Sequence, residues 1–253
     1  MAGFQQKTIE DFPVEILTAI FVLSTNHNLA LASKRLHSSL AGAPTSVKVD
    51  WLLQRYHNDP VQAFHRGVYW RFFDMQVLAG LDQQYCRQQR WIVSEIKHTT
   101  SAQSSRASAG QSTSTDLNNS CIPYTSISIP SYIFALESAN PEHYALIEEL
   151  LVRGASPNTP LGYPIIKSAI LGRLDIIKLL LKYGADPSAR KNMALRVSAG
   201  RNNFEVVKLL FEHGVSADNE TLRICVQKNL WEMANLLIKH GAAPDMLTLN
   251  QLQ

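Results

Sequence analysis

The sequence has little of what marks secreted, membrane-bound or disulfide-linked proteins. It holds three cysteines, Cys86, Cys121 and Cys225, and so sparse a set with no close pair favours a reducing compartment. Its longest apolar run, Ile16 to Leu23, is interrupted by a threonine and is far shorter than a membrane span. The opening residues, MAGFQQKTIEDFP, contain no apolar stretch of signal-peptide length. We therefore expect a soluble protein of the cytoplasm, the nucleus or both, with no membrane partner.

An excess of charge of one sign is also absent. The chain has 24 basic and 21 acidic residues and a formal net charge of +3, which requires neither nucleic acid nor a membrane surface as partner. Aromatic side chains do not interleave with the basic residues of the C-terminal half. We therefore expect no nucleic-acid partner.

Recognisable catalytic and metal-binding patterns are missing too. The sequence contains no GxxxxGK[ST] phosphate loop, no HExxH helix and no GxSxG elbow. Among eight scattered histidines, His213 and His240 hold equivalent positions near the ends of two predicted helices, where a histidine can favour the helix dipole. No cysteine or carboxylate shares their spacing, as a metal site would need. The prediction is a protein that is not an enzyme, with no catalytic residues, no metal site and no cofactor.

What the chain does contain is a repeated phrase in its last hundred or so residues. Four near-copies each run through a leucine-rich helix into a glycine and a small residue: EELLVRGASPN, IIKLLLKYGADPS, VVKLLFEHGVSAD and MANLLIKHGAAPD. Their glycines are Gly154, Gly184, Gly214 and Gly241, at spacings of 30, 30 and 27 residues. A period in this range is typical of stacked helical units that cannot bury their apolar faces alone. The sequence therefore predicts an all-α solenoid, a fold that presents surface to partners.

The copy from Tyr163 to Ser188 shows the unit most clearly. Pro164 suits the first turn of a helix, because its missing N–H would be unpaired there anyway. Gly172 separates this helix from a second, strongly apolar one over Leu174–Tyr183. Gly184 then ends the second helix as a residue that can adopt a left-handed backbone. The unit is a helix, a tight turn, a second helix and a protruding loop.

This unit closely resembles the ankyrin repeat, which has a threonine-proline-leucine-histidine start, a central glycine and a leucine-rich end before Gly-Ala-Asp. We place about four such repeats over residues 130–247, so the expected fold is an ankyrin-repeat solenoid. Asn202 and Asn229 replace the central glycine in two copies, and asparagine is the next most tolerant of a left-handed turn. The 27-residue spacing before Gly241 puts a deficit in the connection at Ala217–Asn219, where the loop must be shorter.

The amino-terminal segment, residues 8–42, resembles an F-box. It has the pattern Phe-Pro-x-Glu-Ile-Leu-x-x-Ile-Phe over residues 12–21 and Ser-Lys-Arg-Leu-His over residues 33–37. The resemblance implies a small helical domain that binds the Skp-type linker protein of cullin–RING ubiquitin ligases. By position, the linker-binding side chains would be Phe12, Pro13, Ile16, Leu17, Ile20 and Phe21. The segment is about three residues shorter than the F-box pattern between Phe21 and Lys34. The alternative is a helical cap that only covers the apolar end of the first repeat.

Two further segments lie between these parts. Residues 47–98 are rich in aromatic side chains and predict helices, in a pattern that fits a degenerate first copy of the repeat. Within them, Asp59 to Gln84 predicts two short helices broken near Arg71-Phe72. Residues 99–126 are dominated by serine, threonine and other small polar residues. Such a stretch cannot bury enough apolar surface to offset its ordering entropy, so we expect a disordered loop.

The resemblance to ankyrin repeats also implies where a partner binds. In such stacks the loop tips and the exposed side of each first helix form the recognition surface. The matching substrate-binding positions are Thr159, Ile170, Leu171, Arg190, Lys191, Asn192, Arg201, Gln227 and Lys228. The basic members indicate an unknown protein substrate that is acidic or phosphorylated. The alternative is that these charges only solvate the surface.

Together the two resemblances imply a protein–protein interaction adaptor. It would be the substrate-recognition subunit of a cullin–RING (SCF-type) ubiquitin ligase, with the F-box docking the linker and the ankyrin repeats binding the substrate. The alternative is a stand-alone ankyrin-repeat scaffold with no ubiquitin role. The connection to ubiquitin depends on residues 12–37 alone, since the repeats can only select the client.

Overall fold

A computed structural model describes residues 9, 12–24, 34, 36, 38, 42–101, 122, 128–134, 141–246 and 248, with the backbone alone for 93–101 and 141. The regular elements of these residues are helices, and one isolated β-bridge joins Ser128 to Ser156. The chain divides into two compact units, Met1–Pro123 and Tyr124–Gln253. In the part that the structure describes, no helix combines the length and the apolar character that a membrane crossing requires.

The first unit contains four described helices. They are α1 (Val14–Ser24), α2 (Thr45–Arg55), α3 (Pro60–Gly67) and α4 (Met75–Ser101). Helix α1 packs on α2, and α4 packs on both α2 and α3. The sequence dictates the start of α3: Pro60 occupies its first turn, while the Asp59 carboxylate accepts hydrogen bonds from the N–H groups of Val61 and Gln62 at 2.9 and 3.2 Å.

Aromatic side chains form the core of this unit. The Trp51 ring is fully buried and meets the rings of Trp70 and Phe72 edge-on, with centroids 5.1 and 5.7 Å apart. Such edge-to-face pairs add to the free energy gained from burial alone. The aromatic character of residues 47–98 is thus explained by packing. That the segment is a degenerate repeat stays a prediction.

The helix pattern of the first unit differs from expectation at its end. The predicted break near Arg71-Phe72 falls between α3 and α4, but α4 is 27 residues long rather than short. It runs to Ser101, and so enters the predicted loop of residues 99–126. Most of that loop, residues 102–121 and 123–126, lies outside the described residues, as does most of the second half of the predicted F-box-like segment.

The second unit is a series of short helices. A 3₁₀ turn (Ser131–Phe134) and α5 (Pro141–Val152) come first. Three helix pairs follow: α6 (Tyr163–Leu171) with α7 (Leu174–Lys182), α8 (Ala189–Ala199) with α9 (Phe204–Glu212), and α10 (Asn219–Gln227) with α11 (Trp231–Lys239). The first helices of successive pairs pack side by side, α6 on α8 and α8 on α10. The predicted helix–turn–helix stack is confirmed, and with it the all-α solenoid.

One buried register repeats through this stack. Four residues before each repeat glycine stands a fully buried leucine, and one residue after it stands a buried alanine or valine. The leucines are Leu150, Leu180, Leu210 and Leu237, and the small residues are Ala155, Ala185, Val215 and Ala242. Each repeat therefore contributes the same slots to one continuous apolar core, as the stacking of incomplete units requires.

The turns follow the expected backbone conformations. The four repeat glycines have φ between +80° and +102°. Asn202 and Asn229, in place of the central glycine, have φ of +61° and +57°, next to +70° at Gly172. Asparagine tolerates this left-handed region better than other residues with a side chain, so the substitution preserves the tight turn.

Candidate functional site

Two protruding loops carry an unusual backbone at equivalent places in their repeats. The sixth to eighth residues after Gly154 and after Gly184 are Pro160–Gly162 and Arg190–Asn192, which we term the first and second loop tips. Leu161 and Gly162 have φ of +49° and +71°. All three residues of the second tip are left-handed, with φ between +55° and +58°, so the right-handed part of α8 follows Asn192. Non-glycine residues pay a conformational cost in this region.

The last connection lacks a counterpart of these tips. The sixth residue after Gly214 is Glu220, which already belongs to α10. The three residues missing from the 27-residue spacing therefore correspond to a loop tip, and the core register is unaffected. The structure places the deficit where the spacing indicates a shorter loop.

Asparagine side chains tie each loop to the next. The Asn158 amide donates to the Gly184 carbonyl at 3.0 Å and accepts from the Asp186 N–H at 2.7 Å. The Asn192 amide donates to the Ser216 carbonyl at 3.1 Å. These bonds connect loops whose backbone groups would otherwise face water, and they hold the tips in a fixed arrangement.

A cleft of about 350 Å³ lies between the two tips. Its lining residues come from both loops: Asn158, Leu161, Gly162, Asp186, Ala189 and Arg190. The loops meet closely at its base, because a Cβ atom added to Gly162 would collide with the Ala189 Cβ. Glycine is thus required at position 162 both for its φ of +71° and for this approach.

The structure divides the predicted substrate-binding residues into two groups. Thr159 and the second loop tip lie at the loop end of the first helices, whereas Ile170, Leu171, Arg201, Gln227 and Lys228 lie at the end near the tight turns. A first helix of 9 residues such as α6 separates the ends by about 13 Å. Six of the nine are exposed, and Ile170, Leu171 and Asn192 are half-buried. Sequence reasoning missed Leu161, whose only signal was an apolar residue between proline and glycine in a loop.

Ion pairs leave part of the basic charge free. Arg196 pairs with Asp218 at 3.6 Å and Glu220 at 2.9 Å, and the Lys228 ammonium donates to the Gly200 carbonyl at 2.8 Å. None of the four predicted substrate-binding cations makes an ion pair within the described ranges: Lys228 bonds a backbone carbonyl, and Arg190, Lys191 and Arg201 remain without an acidic partner there. Uncompensated exposed cations attract anionic partners and speed their association.

Only some of the predicted linker-binding side chains on and just before α1 are exposed in the structure. Phe12 and Ile16 are 42% and 45% exposed, and Pro13 is exposed as well. Leu17 and Phe21, by contrast, are 1% and 0% exposed and belong to the core of the first unit. Because the apolar stripe of α1 packs in that core, these two side chains are not available to a partner. Ile20 is half-buried.

The remaining titratable groups have structural roles. Burial raises the pKa of the Cys225 thiol to about 11, against a smaller opposing effect of Lys228, so the thiol stays protonated. Burial, and then the charge of Arg173, lower the pKa of His143. His240 stacks on Phe211 with ring centroids 4.0 Å apart. Among the residues whose side chains are described, no group of histidine, cysteine and acidic residues is arranged to hold a metal ion.

Comparison with known families identifies the stack. Residues 133–221 and 165–248 match the family model of ankyrin repeats, in three copies. The predicted ankyrin repeats are confirmed, and residues 133–248 form a solenoid of this class. The amino-terminal residues 10–41 match a different model, described as the YDR249C N-terminal domain, and no F-box is matched.

A relative in fission yeast shares part of the sequence. The chain is 32% identical over 77 residues to the uncharacterized protein C736.02 of Schizosaccharomyces pombe. The match covers 29% of this chain and 27% of that protein. It therefore extends over about a quarter of the relative's length.

Proposed function

We propose that the protein is a non-enzymatic adaptor that binds an acidic protein client along the first helices and loop tips of its ankyrin repeats. Ankyrin repeats are protein–protein interaction units, and these carry no recognisable catalytic arrangement in the part that the structure describes. The observation that carries the proposal is the set of three exposed cations, Arg190, Lys191 and Arg201, that form no ion pair among the described residues.

Charge complementarity supports an acidic or phosphorylated client. Asp218 and Glu220, at the start of α10, are already paired with Arg196, and the Asp186 carboxylate before α8 accepts the Ser188 N–H. The first two therefore compensate a different guanidinium and leave the three cations to a ligand. A carboxylate or phosphate group is the natural partner of such arginines. The proposed location of the adaptor is the cytoplasm or the nucleus.

Charge reversal tests this proposal directly. A double variant with Arg190→Glu and Arg201→Glu should lose the proteins that the wild-type chain captures from a cell extract, as measured by quantitative mass spectrometry. A matched variant, Lys178→Glu, changes an exposed lysine on the second helix α7 and should retain them. Each lost protein is then purified and titrated against both variants. If the double variant captures the same proteins as the wild-type chain, the proposed surface is wrong.

A second candidate function concerns α1. We infer from the exposed apolar side chains of Phe12, just before α1, and Ile16, within it, that this region docks a second protein. The F-box-like pattern of residues 12–37 suggests a Skp-type linker. In that case the adaptor would be the substrate-recognition subunit of a cullin–RING ubiquitin ligase. The alternative is a scaffold without a ubiquitin role, in which these helices only cap the repeats.

Co-expression with a Skp-family linker separates the two alternatives. Ile16→Glu should abolish a stable complex without unfolding the unit, because Ile16 is 45% exposed. Ile92→Glu on α4, where the side chain is 42% exposed, makes the same chemical change outside α1 and should preserve the complex. No complex with the wild-type chain would leave the scaffold alternative. A complex that survives Ile16→Glu would show that docking does not use this face.

A further inference from the structure

Leu161 in the first loop tip is costly to the folded chain. Its side chain is 71% exposed, so it gains little from burial, and its φ of +49° is a conformation that leucine adopts reluctantly. Asparagine or glycine would fit this backbone better. Stability therefore does not explain a leucine here, whereas an apolar side chain at the wall of a cleft offers a contact to a ligand.

Arg190 in the second loop tip adds a positive charge to the cleft that Leu161 lines with an apolar side chain. It is exposed, has φ of +55° and forms no ion pair with any described residue. Lys191 beside it adds a second positive charge. The lining also includes Asp186, but one oxygen of its carboxylate already accepts the Ser188 N–H at 2.9 Å. The cleft thus brings together the apolar side chain of Leu161, the cation of Arg190 and the partly engaged carboxylate of Asp186, and Lys191 follows Arg190 in the second tip.

The size of the cleft limits what it can hold. A volume of about 350 Å³ is near the lower end of ligand pockets, and this cleft is open to solvent. It has room for a few side chains rather than for a large cofactor. The hydrogen bonds of Asn158 and Asn192 fix the tips beforehand, so a ligand would not need to order them.

We propose that this cleft binds a short peptide segment in which an apolar side chain stands next to an acidic one. The apolar side chain packs against Leu161 above Gly162 and Ala189, and the acidic side chain pairs with Arg190. This inference rests on the proposed function and narrows it, because it names the part of the client that the loop tips select. Recognition then requires both features together, not negative charge alone.

Fluorescence anisotropy with defined peptide libraries tests the pairing. The probes are fluorescein-labelled nonapeptides with a fixed central Leu-Glu or Glu-Leu and mixed neutral residues elsewhere. In the comparison libraries glutamine replaces the glutamate, or serine replaces the leucine. We expect the full chain to bind the Leu/Glu libraries, and each replacement to weaken binding about ten-fold or more, as the loss of a charged hydrogen bond or an apolar anchor does.

Three variants keep the test specific. Leu161→Asn and Arg190→Asn remove the apolar and the charged contact, and both put asparagine on a left-handed backbone that it tolerates, so the loops should stay folded. Each should lower the affinity for the Leu/Glu libraries about ten-fold. Lys178→Gln removes one positive charge on α7, away from the cleft lining, and should leave binding unchanged.

Four results would overturn the inference. Equal binding of the serine-containing library would mean that only charge is read. An equal loss in Lys178→Gln and Arg190→Asn would mean that net charge, not the cleft, attracts the peptide. Binding that survives both cleft variants but fails in Arg201→Glu would place the peptide elsewhere on the repeats, and the proposed function would then stand without this inference. The absence of binding to any library also overturns the cleft, while the client-capture experiment still decides the adaptor.

Discussion

Cys225 shows how burial can silence a reactive group. Its side chain is fully buried in α10, and its pKa is raised from an ordinary value of 9.0 to about 11. The neutral thiol is the favoured form in the folded chain. We expect iodoacetamide to label the half-buried Cys86 at pH 8 and to leave Cys225 unmodified until the repeats unfold, as measured by peptide mass spectrometry. Rapid labelling of Cys225 in the folded protein would contradict its burial.

The same shift predicts a pH dependence of stability. Because the folded pKa lies above the unfolded one, the contribution of Cys225 is complete below pH 9 and is lost as the pH rises through 11. The loss should reach about 2–3 kcal/mol of unfolding free energy. Urea titrations of the wild-type chain and Cys225→Ala across this range check it: the difference between them should shrink with rising pH. A constant difference would argue against a raised pKa.

Asn202 tests the left-handed turn at a single residue. With φ of +61°, alanine here should cost about 1 kcal/mol of stability, since it keeps the Cβ that clashes with the following carbonyl but loses the polar side chain through which asparagine tolerates this backbone. Glycine removes that clash, so Asn202→Gly should lie within a few tenths of a kcal/mol of the wild type. Urea denaturation of both variants gives the comparison. Equal losses for alanine and glycine would point to the asparagine side chain rather than the backbone.

At the scale of elements, α10 owes its start to one carboxylate. The Asp218 side chain accepts the Thr221 N–H at 2.6 Å and also pairs with Arg196 at 3.6 Å. Asp218→Ala should lower the unfolding free energy by about 1 kcal/mol, because the helix loses its N-cap. Asp218→Asn keeps a capping oxygen and loses only a partly exposed ion pair, so it should cost less. Chemical denaturation distinguishes the two; a larger loss for asparagine would reverse their order.

The loops depend on a comparable contact. In Asn158→Ala the Asp186 N–H loses its acceptor, which lies 2.7 Å away in the wild-type chain. Hydrogen exchange at Asp186 should accelerate, since exchange requires that this bond open. The Ser188 N–H, bonded to the Asp186 carboxylate within its own loop, serves as the internal control and should exchange as before. Unchanged exchange at Asp186 would mean that other contacts hold the loop.

At the scale of the whole molecule, the stack should respond to damage according to position. Leu180 and Leu237 occupy the same buried slot in an inner and in the last repeat. Each change to alanine should cost about 2–5 kcal/mol locally. Leu180→Ala should reduce hydrogen-exchange protection in the repeats on both sides, whereas Leu237→Ala should expose mainly α10 and α11, because each unit contacts only its neighbours. Identical exchange profiles for both variants would indicate one indivisible domain.

Much of the repeat stack could be predicted because the sequence features that produce it are local and recur in each repeat. The spacing of the glycines, the buried leucines before them and the asparagines at the turns each follow from backbone conformation or helical periodicity. The sequence pattern did not reveal that the predicted substrate-binding residues lie at opposite ends of the first helices. Sequence order alone does not give the distance between residues of different repeats. Leu161 was missed because its exposure and its left-handed backbone are visible only in three dimensions.

The amino-terminal unit was harder to predict for a physical reason. An apolar stripe on a helix such as α1 predicts burial but not against what, and a partner and an internal core require the same residues. Phe21 and Leu17 belong to the core, and Phe12 and Ile16 remain exposed. The length of α4 was underestimated because residues 87–92 are exposed, so no buried apolar periodicity marked the helix beyond Leu81.

The three-residue difference between the loops separates the proposed recognition residues from those that make the protein fold. Residues 160–162 and 190–192 add a tip to the repeat without entering its buried slots, and the last unit shows that the stack continues without one. In the adaptor that we propose, specificity would be carried by these removable tips. Inserting a copy of Arg190–Asn192 before Glu220 would add a third loop tip to the proposed binding surface. Exchanging the two existing tips would give the same scaffold a different client preference.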